Sequence, residues 1–196
     1  GPGIAHLGED TILVYYSSLS RRTTFKENVA KGIRKFRIPF PYFYFVRRIG
    51  ILKVKIKGTT KSKIEALRYV NNPLGHLNGP RGSWNESLFC PGYMSFENTH
   101  CLFPAASIYS SYPYKQFVGL TTSTKPFFPA DETNIQMLID GPAEKKQIMP
   151  DIRGEIAMDT PSPILRKNEN KIYLYYGVMD RKDDVWKTAL STFVLE

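Results

Sequence analysis

The sequence predicts an all-β chain, and three observations carry that reading. Aromatic residues are dense, with 12 Tyr, 12 Phe and 2 Trp among 196 residues, in short clusters bounded by Pro, Gly, Asn and Ser, a composition that suits pleated, half-buried strands. A Pro-led hairpin pattern recurs three times along the chain. Helical 3.6-residue periodicity is nearly absent, its best stretch being the short residues 61–69. The length is that of one domain, enough for a core without disulfide or metal staples.

The first unit covers residues 2–16: Pro2 opens a strand, Gly8, Glu9 and Asp10 supply the reversal, and the return strand ends in Tyr15 and Tyr16. Residues 36–48 pack aromatics between charges, and Pro39 and Pro41 argue against a central strand there. Residues 51–57 alternate apolar side chains with Lys53, Lys55 and Lys57, the period of a strand with one wet face. The second unit, residues 91–103, starts at Pro91, turns at Glu97 and Asn98, and is followed by a mixed apolar and Thr/Ser strand at 117–127. The third, residues 161–176, starts at Pro161, turns through Asn168, Glu169 and Asn170, and is followed by a similar strand at 185–193. Hairpins with appended strands, repeated along a chain, suggest the blades of a β-propeller.

The net charge of +9 is local: residues 21–70 hold 15 Lys and Arg against 2 acids, and the remainder is net negative. No helix-turn-helix, zinc-finger or RNP-like pattern accompanies the charge, so nucleic acid is a disfavoured partner. The aromatics Phe40, Tyr42, Phe43, Tyr44 and Phe45 beside Arg47 and Arg48 instead suit a partner or subunit contact. No run approaches the roughly 18 apolar residues of a spanning helix, and no basic and apolar leader opens the chain. A soluble form is expected, with no membrane role and no compartment implied.

Other chemistries find no support. Cys90 and Cys101 are too few for a disulfide framework; they either face each other across a hairpin or, as is commoner for small buried thiols, stay reduced. His100 and Cys101 are strand neighbours pointing to opposite faces, so with Cys90 they make no zinc set. The glycines form no phosphate loop, residues 180–184 lack calcium-loop spacing, and His6 and His76 have no nucleophile beside them. No cofactor or metal is expected.

Three features resemble the five-bladed β-propeller glycoside hydrolases, the group containing family 43 and its relatives. They are Pro161 to Leu165 with Tyr173 to Gly177, the stretch Gly82 to Ser87 ahead of Pro91, and Gly119 to Ser123 running on to Pro126 and Phe127. The likeness covers about residues 1–20 and 82–196. It implies a glycosidase-type propeller, incomplete or degenerate, acting on glycans with paired carboxylates: one carboxyl protonates the leaving oxygen while the other activates water. The alternative is a non-catalytic carbohydrate-binding or protein-interaction propeller. The group places its base Asp directly before the Pro of an innermost strand; here Asp159 stands one residue further back from Pro161, while Gly1 and Cys90 precede Pro2 and Pro91. The expected catalytic set is Asp159, Glu86 and Glu155, with Asp140 and Asp151 as further carboxylates in a Pro- and Gly-rich stretch. Trp84, Tyr93 and Arg153 are the expected substrate contacts, backed by Tyr112 and Tyr114, since sugars need aromatic faces and bidentate donors.

Residues 1–196 are thus read as one propeller-like domain in which 21–70 form an atypical basic segment or a degenerate blade. Three blades alone would leave two sheet faces to cover. That calls for a blade from residues 21–70, a larger propeller of which this is a piece, or a homo-oligomer.

Overall fold

The computed structural model describes residues 2–22, 25–26, 29, 33, 45–57, 63–68, 74–108, 116–140, 158–180 and 185–195. Each Pro-led unit opens an antiparallel sheet. The first runs β1 (Gly3–His6), β2 (Thr11–Arg22), β3 (Phe45–Lys57) and β4 (Lys63–Arg68); the second runs β5 (Ser87–Phe96), β6 (Thr99–Ser107), β7 (Gln116–Ser123) and β8 (Ile135–Asp140); the third runs β9 (Met158–Arg166), β10 (Lys171–Asp180) and β11 (Val185–Val194). Within each sheet the strands neighbour one another in chain order. This is the meander of a propeller blade.

The turns follow the expected chemistry. Gly8 (φ 135°), Glu97 (φ 51°) and Asn170 (φ 52°) take the left-handed conformations that close the three first hairpins. The strands expected at 117–127 and 185–193 are β7 and β11. Residues 61–69, the best helical stretch of the sequence, instead contain β4, whose register pairs Ile64 with Ile56 and Ala66 with Val54. Its alternating Ile64 and Ala66 fit a ladder, and a weak local helix propensity yields to an available strand edge.

Two strands of the basic segment belong to the first blade: β3 lies inside the first sheet between β2 and β4. Its Ile49 and Ile51 are buried in the core while Lys55 is exposed. Arg47 lies over the ring of Phe89 in the second sheet, 5.2 Å from its centroid, a cation–π contact between blades. Phe40, Tyr42, Phe43 and Tyr44 lie outside the described residues.

Two cores cement the three sheets. The first lies between the first and second sheets and contains Leu13, Tyr15, Ile49, Ile51, Leu88, Leu102 and Phe117; the second lies between the second and third and contains Met94, Phe103, Val118, Met158, Ile172 and Leu174. Burying each such side chain contributes about 1.5–3 kcal/mol before entropy is counted. The second sheet is therefore covered on both faces. The outward face of the third carries Ile164, Tyr175, Trp186 and Leu190, each between 37% and 49% exposed, and the outward face of the first shows Ile4 at 47% and Ile56 at 40%. Cys90 and Cys101 are both free thiols, and Cys101 is paired across the hairpin with Met94, so the two do not face each other.

Candidate functional site

The three repeated prolines converge. Pro2, Gly3 and Ile4 of the first blade, Pro91, Gly92 and Tyr93 of the second, and Thr160, Pro161, Ser162 and Pro163 of the third line one cavity of about 260 Å³. It sits where the innermost strands of successive blades meet, so we call it the axial cavity. Its size suits a small ligand, just under the roughly 300 Å³ at which drug-sized pockets begin. Among the described residues no Lys, Arg or His lines it.

Two identical distortions shape its wall. In the second blade Cys90 and Pro91 together stand opposite one residue of β6, and in the third Thr160 and Pro161 stand opposite one residue of β10. Each is a β-bulge, which bends an inner strand and redirects its side chains. The residue before each proline is left-handed, Cys90 at φ 44° and Thr160 at φ 53°. Non-glycine residues are seldom held there, and such strain concentrates at functional sites.

The glycines after the prolines let neighbouring blades close in. A Cβ on Gly3 would lie 2.9 Å from the Pro91 carbonyl oxygen, and one on Gly92 only 2.1 Å from that of Pro161. These are backbone contacts that no rotamer change relieves.

Asp159 stands beside this wall, half-buried. Its Oδ1 accepts the Thr160 backbone N–H at 2.7 Å, and its negative charge acts on the Cys90 thiol of the neighbouring blade. The Cys90 N–H in turn donates to Ser17 Oγ at 2.7 Å. Burial, and then the neighbouring Asp159 carboxylate, push the Cys90 thiol above its ordinary pKa, so at neutral pH it is a protonated donor.

Tyr93 is held at both ends. Its ring stacks on Tyr15 with centroids 5.3 Å apart, and its hydroxyl is 2.6 Å from His100 Nδ1. Burial raises the Tyr93 pKa and lowers that of His100, so a neutral imidazole meets a neutral phenol. Tyr15, whose hydroxyl donates to the Pro126 carbonyl at 2.6 Å, is also pushed up, chiefly by burial.

The other expected residues lie elsewhere. Glu86 is 4% exposed, absent from the cavity lining, and accepts the Gly82 N–H through Oε2 at 3.1 Å. It organises the loop before β5. Trp84 packs edge-on against Phe117 with centroids 6.1 Å apart, and its ring tip approaches Gly119; its contacts are those of a core side chain. Asp140 is exposed at the end of β8. Glu155, Arg153, Asp151, Tyr112 and Tyr114 lie outside the described residues. Among the described residues, no group of three His, Cys, Asp or Glu side chains could hold a metal ion.

Cys90 and Ser17 were not anticipated from the sequence. The available signal was positional: Cys90 and Thr160 both directly precede a repeated proline.

No family model matches the sequence, and no curated protein matches it either. Solved structures do resemble the fold. A GH32 beta-fructofuranosidase of Bombyx mori superposes with a TM-score of 0.54 at 14% identity, covering 100% of this chain and 34% of that one. A mutant of that enzyme in complex with sucrose gives 0.51 at 14% identity, covering 97% and 33%. An alpha-L-arabinanase of Cellvibrio cellulosa complexed with arabinohexaose gives 0.40 at 11% identity, covering 96% and 71%. The chain thus spans about a third of the length of the Bombyx enzyme. Its fold is that of a β-propeller of the glycosidase type, present here as three packed blades.

Proposed function

We propose that this chain binds a neutral glycan at the axial cavity, with Asp159 accepting hydrogen bonds from sugar hydroxyls. The observation that carries the reading is the convergence of the three Pro-led inner strands on one cavity, with Asp159 next in the chain to the lining residue Thr160 and bonded to its amide. A carboxylate offers about four lone-pair sites; the Thr160 amide occupies one, and the second oxygen can accept from the hydroxyls of a sugar. The described lining, free of Lys, Arg and His, favours neutral over anionic sugars. The fold likeness to an enzyme also solved with sucrose supports sucrose as a first probe.

Hydrolysis is the second reading. It needs two carboxyls roughly 5–10 Å apart across the sugar, and Glu155, four positions before Asp159 in the sequence, is the candidate partner. Calorimetric titration with sucrose and a panel of neutral oligosaccharides, alongside an assay for released reducing sugar, separates the two. Binding without turnover, lost in Asp159→Asn, supports the glycan-binding reading. Turnover lost in both Asp159→Asn and Glu155→Gln supports hydrolysis. If no sugar binds, or if Asp159→Asn binds as the parent does, the site is misassigned.

A further inference from the structure

Among the described residues the third blade is one strand short. Its sheet ends at β11, whereas the equivalent third strands of the other blades, β3 and β7, are paired on both sides. The outer strands β4 and β8 have six residues each, and β4 carries Lys63, Glu65 and Arg68. Shortness and charge of that kind blunt a sheet edge. β11 has ten residues, no proline, an unbroken register with β10 and one charged residue, Lys187. It lacks the devices that keep an edge from pairing.

The open edge also has a symmetric sequence. Leu195, just beyond the strand, donates its N–H to the Asn170 carbonyl at 2.9 Å. In an antiparallel ladder backbone groups alternate in direction, so odd-numbered residues bond to β10 and even-numbered ones turn their N–H and C=O to the open edge. Those even residues are Trp186, Thr188, Leu190, Thr192 and Val194, all of them exposed. The order apolar, Thr, Leu, Thr, apolar reads the same from either end. A two-fold contact requires this kind of self-complementarity.

We infer that β11 pairs antiparallel with β11 of a second copy of this chain about a two-fold axis at Leu190, joining two third blades into one continuous sheet. In that register Leu190 faces Leu190 of the second copy, each Thr188 faces a Thr192, and each Trp186 faces a Val194. Aromatic with β-branched and Thr with Thr are cross-strand pairs that stabilise a ladder. Each Lys187 falls opposite a Phe193, so like charges do not meet across the strands. The pairing does not depend on the glycan-binding reading.

Sedimentation velocity of the full chain from about 1 to 200 μM is expected to show a monomer–dimer equilibrium. Leu190→Lys sets two like charges opposite each other and should raise the dimer dissociation constant about tenfold or more. Thr192→Pro removes an N–H from the open edge alone, a place where proline is tolerated, and should weaken the dimer likewise. Both positions are exposed, so each monomer should keep the circular dichroism of the parent; Thr192→Pro carries the test if Leu190→Lys does not fold. A parent that stays monomeric over that range overturns the proposal. So does a dimer that survives both substitutions, since it would be held by another surface.

Cross-linking then reads the register. Facing residues of a hydrogen-bonded antiparallel pair have Cα atoms about 5.5 Å apart, within disulfide reach. Leu190→Cys, oxidised with copper phenanthroline and resolved by peptide mapping, should therefore link to itself. Thr188→Cys should not, because its own copy lies roughly 13 Å further along the strand. A Thr188→Cys variant that links as readily as Leu190→Cys overturns the two-fold at Leu190.

Discussion

Replacing Gly92 with Ala tests the packing of the inner strands, on which the axial cavity depends. The new Cβ would stand 2.1 Å from the Pro161 carbonyl oxygen, 2.8 Å from Pro163 Cδ and 3.0 Å from the Pro161 carbonyl carbon, whereas ordinary contact begins at 3.4 Å. The obstacles are backbone and a proline ring, so the strain is relieved only if β5 and β9 move apart by about 1.3 Å. The same movement opens the second core, where Met158 and Phe103 are fully buried. A radial gap of about 0.5–1 Å already forfeits a quarter to a half of a dispersion well. Overpacking costs about 1–3 kcal/mol, and with nothing flexible at the contact the upper end applies. For a chain of this size about 3 kcal/mol lowers Tm by roughly 6–12 °C. Urea and thermal unfolding followed by tryptophan fluorescence read the loss. Gly75→Ala is the control: its Cβ would meet only the end of the Arg48 side chain at 3.5 Å, and it should stay within about 0.5 kcal/mol. A Gly92→Ala midpoint equal to that of the parent would refute the close approach of β5 and β9.

Three further outcomes follow from the site. Glu86→Ala removes the charged acceptor of the Gly82 N–H and empties the buried place of the Glu86 side chain, and should cost about 1–3 kcal/mol, whereas Glu86→Gln, which retains a carbonyl acceptor, should recover most of it; equal losses would refute the loop-organising role. Because burial raises the Tyr15 pKa above its ordinary value, the folded state keeps a proton that the unfolded chain gives up near pH 10. Its stabilisation is complete below about pH 10 and declines above it, so the Tm of the parent should fall there more steeply than that of Tyr15→Phe. His100 has the opposite sign. Burial lowers its pKa, so its contribution is complete above about pH 6.5 and is lost as acid protonates the unfolded chain; His100→Gln should flatten the melting profile between about pH 6.5 and 5, and an unchanged slope would refute the neutral Tyr93–His100 contact.

The blade starts were legible because their signals are local. A proline, an alternating strand and a polar reversal lie within some fifteen residues of one another, and the structure aligns Pro91 with Pro161 in matching bulges. Residues 61–69 misled because apolar positions in so short a stretch fit either period; the neighbouring β3 edge decided it. The role of residues 45–57 and 63–68 in the first blade was obscured by their charge, which says nothing of strand order; the register sets Lys53 opposite the buried Leu13, on the face that carries Ile49 and Ile51. Asp159 could be singled out because it lies near a repeated proline. The Ser17–Cys90 bond could not, because it joins different blades and closes across 73 residues. Trp84 shows the converse limit: its position near Pro91 suggested a sugar platform, but only the fold brings Phe117 and Gly119 against its ring.

The Pro-Gly pairs also give the arc a direction. Gly3 admits the Pro91 carbonyl of the second blade, and Gly92 admits the Pro161 carbonyl of the third. At the matching place in the third blade stands Ser162, exposed, its hydroxyl reaching only the Thr160 carbonyl of its own strand at 3.4 Å. A Cβ is therefore tolerated at this third position because no described strand closes on it. An alanine should then have different consequences at the equivalent sites. Where Gly92→Ala is expected to cost about 3 kcal/mol, Ser162→Ala removes only a long hydrogen bond from an exposed side chain and should fall within about 0.5 kcal/mol of the parent. A loss above about 1 kcal/mol at Ser162, measured by the same urea unfolding, would mean that the serine side chain is engaged in a contact as specific as those at the two glycines, and the directional account of the inner strands would fail.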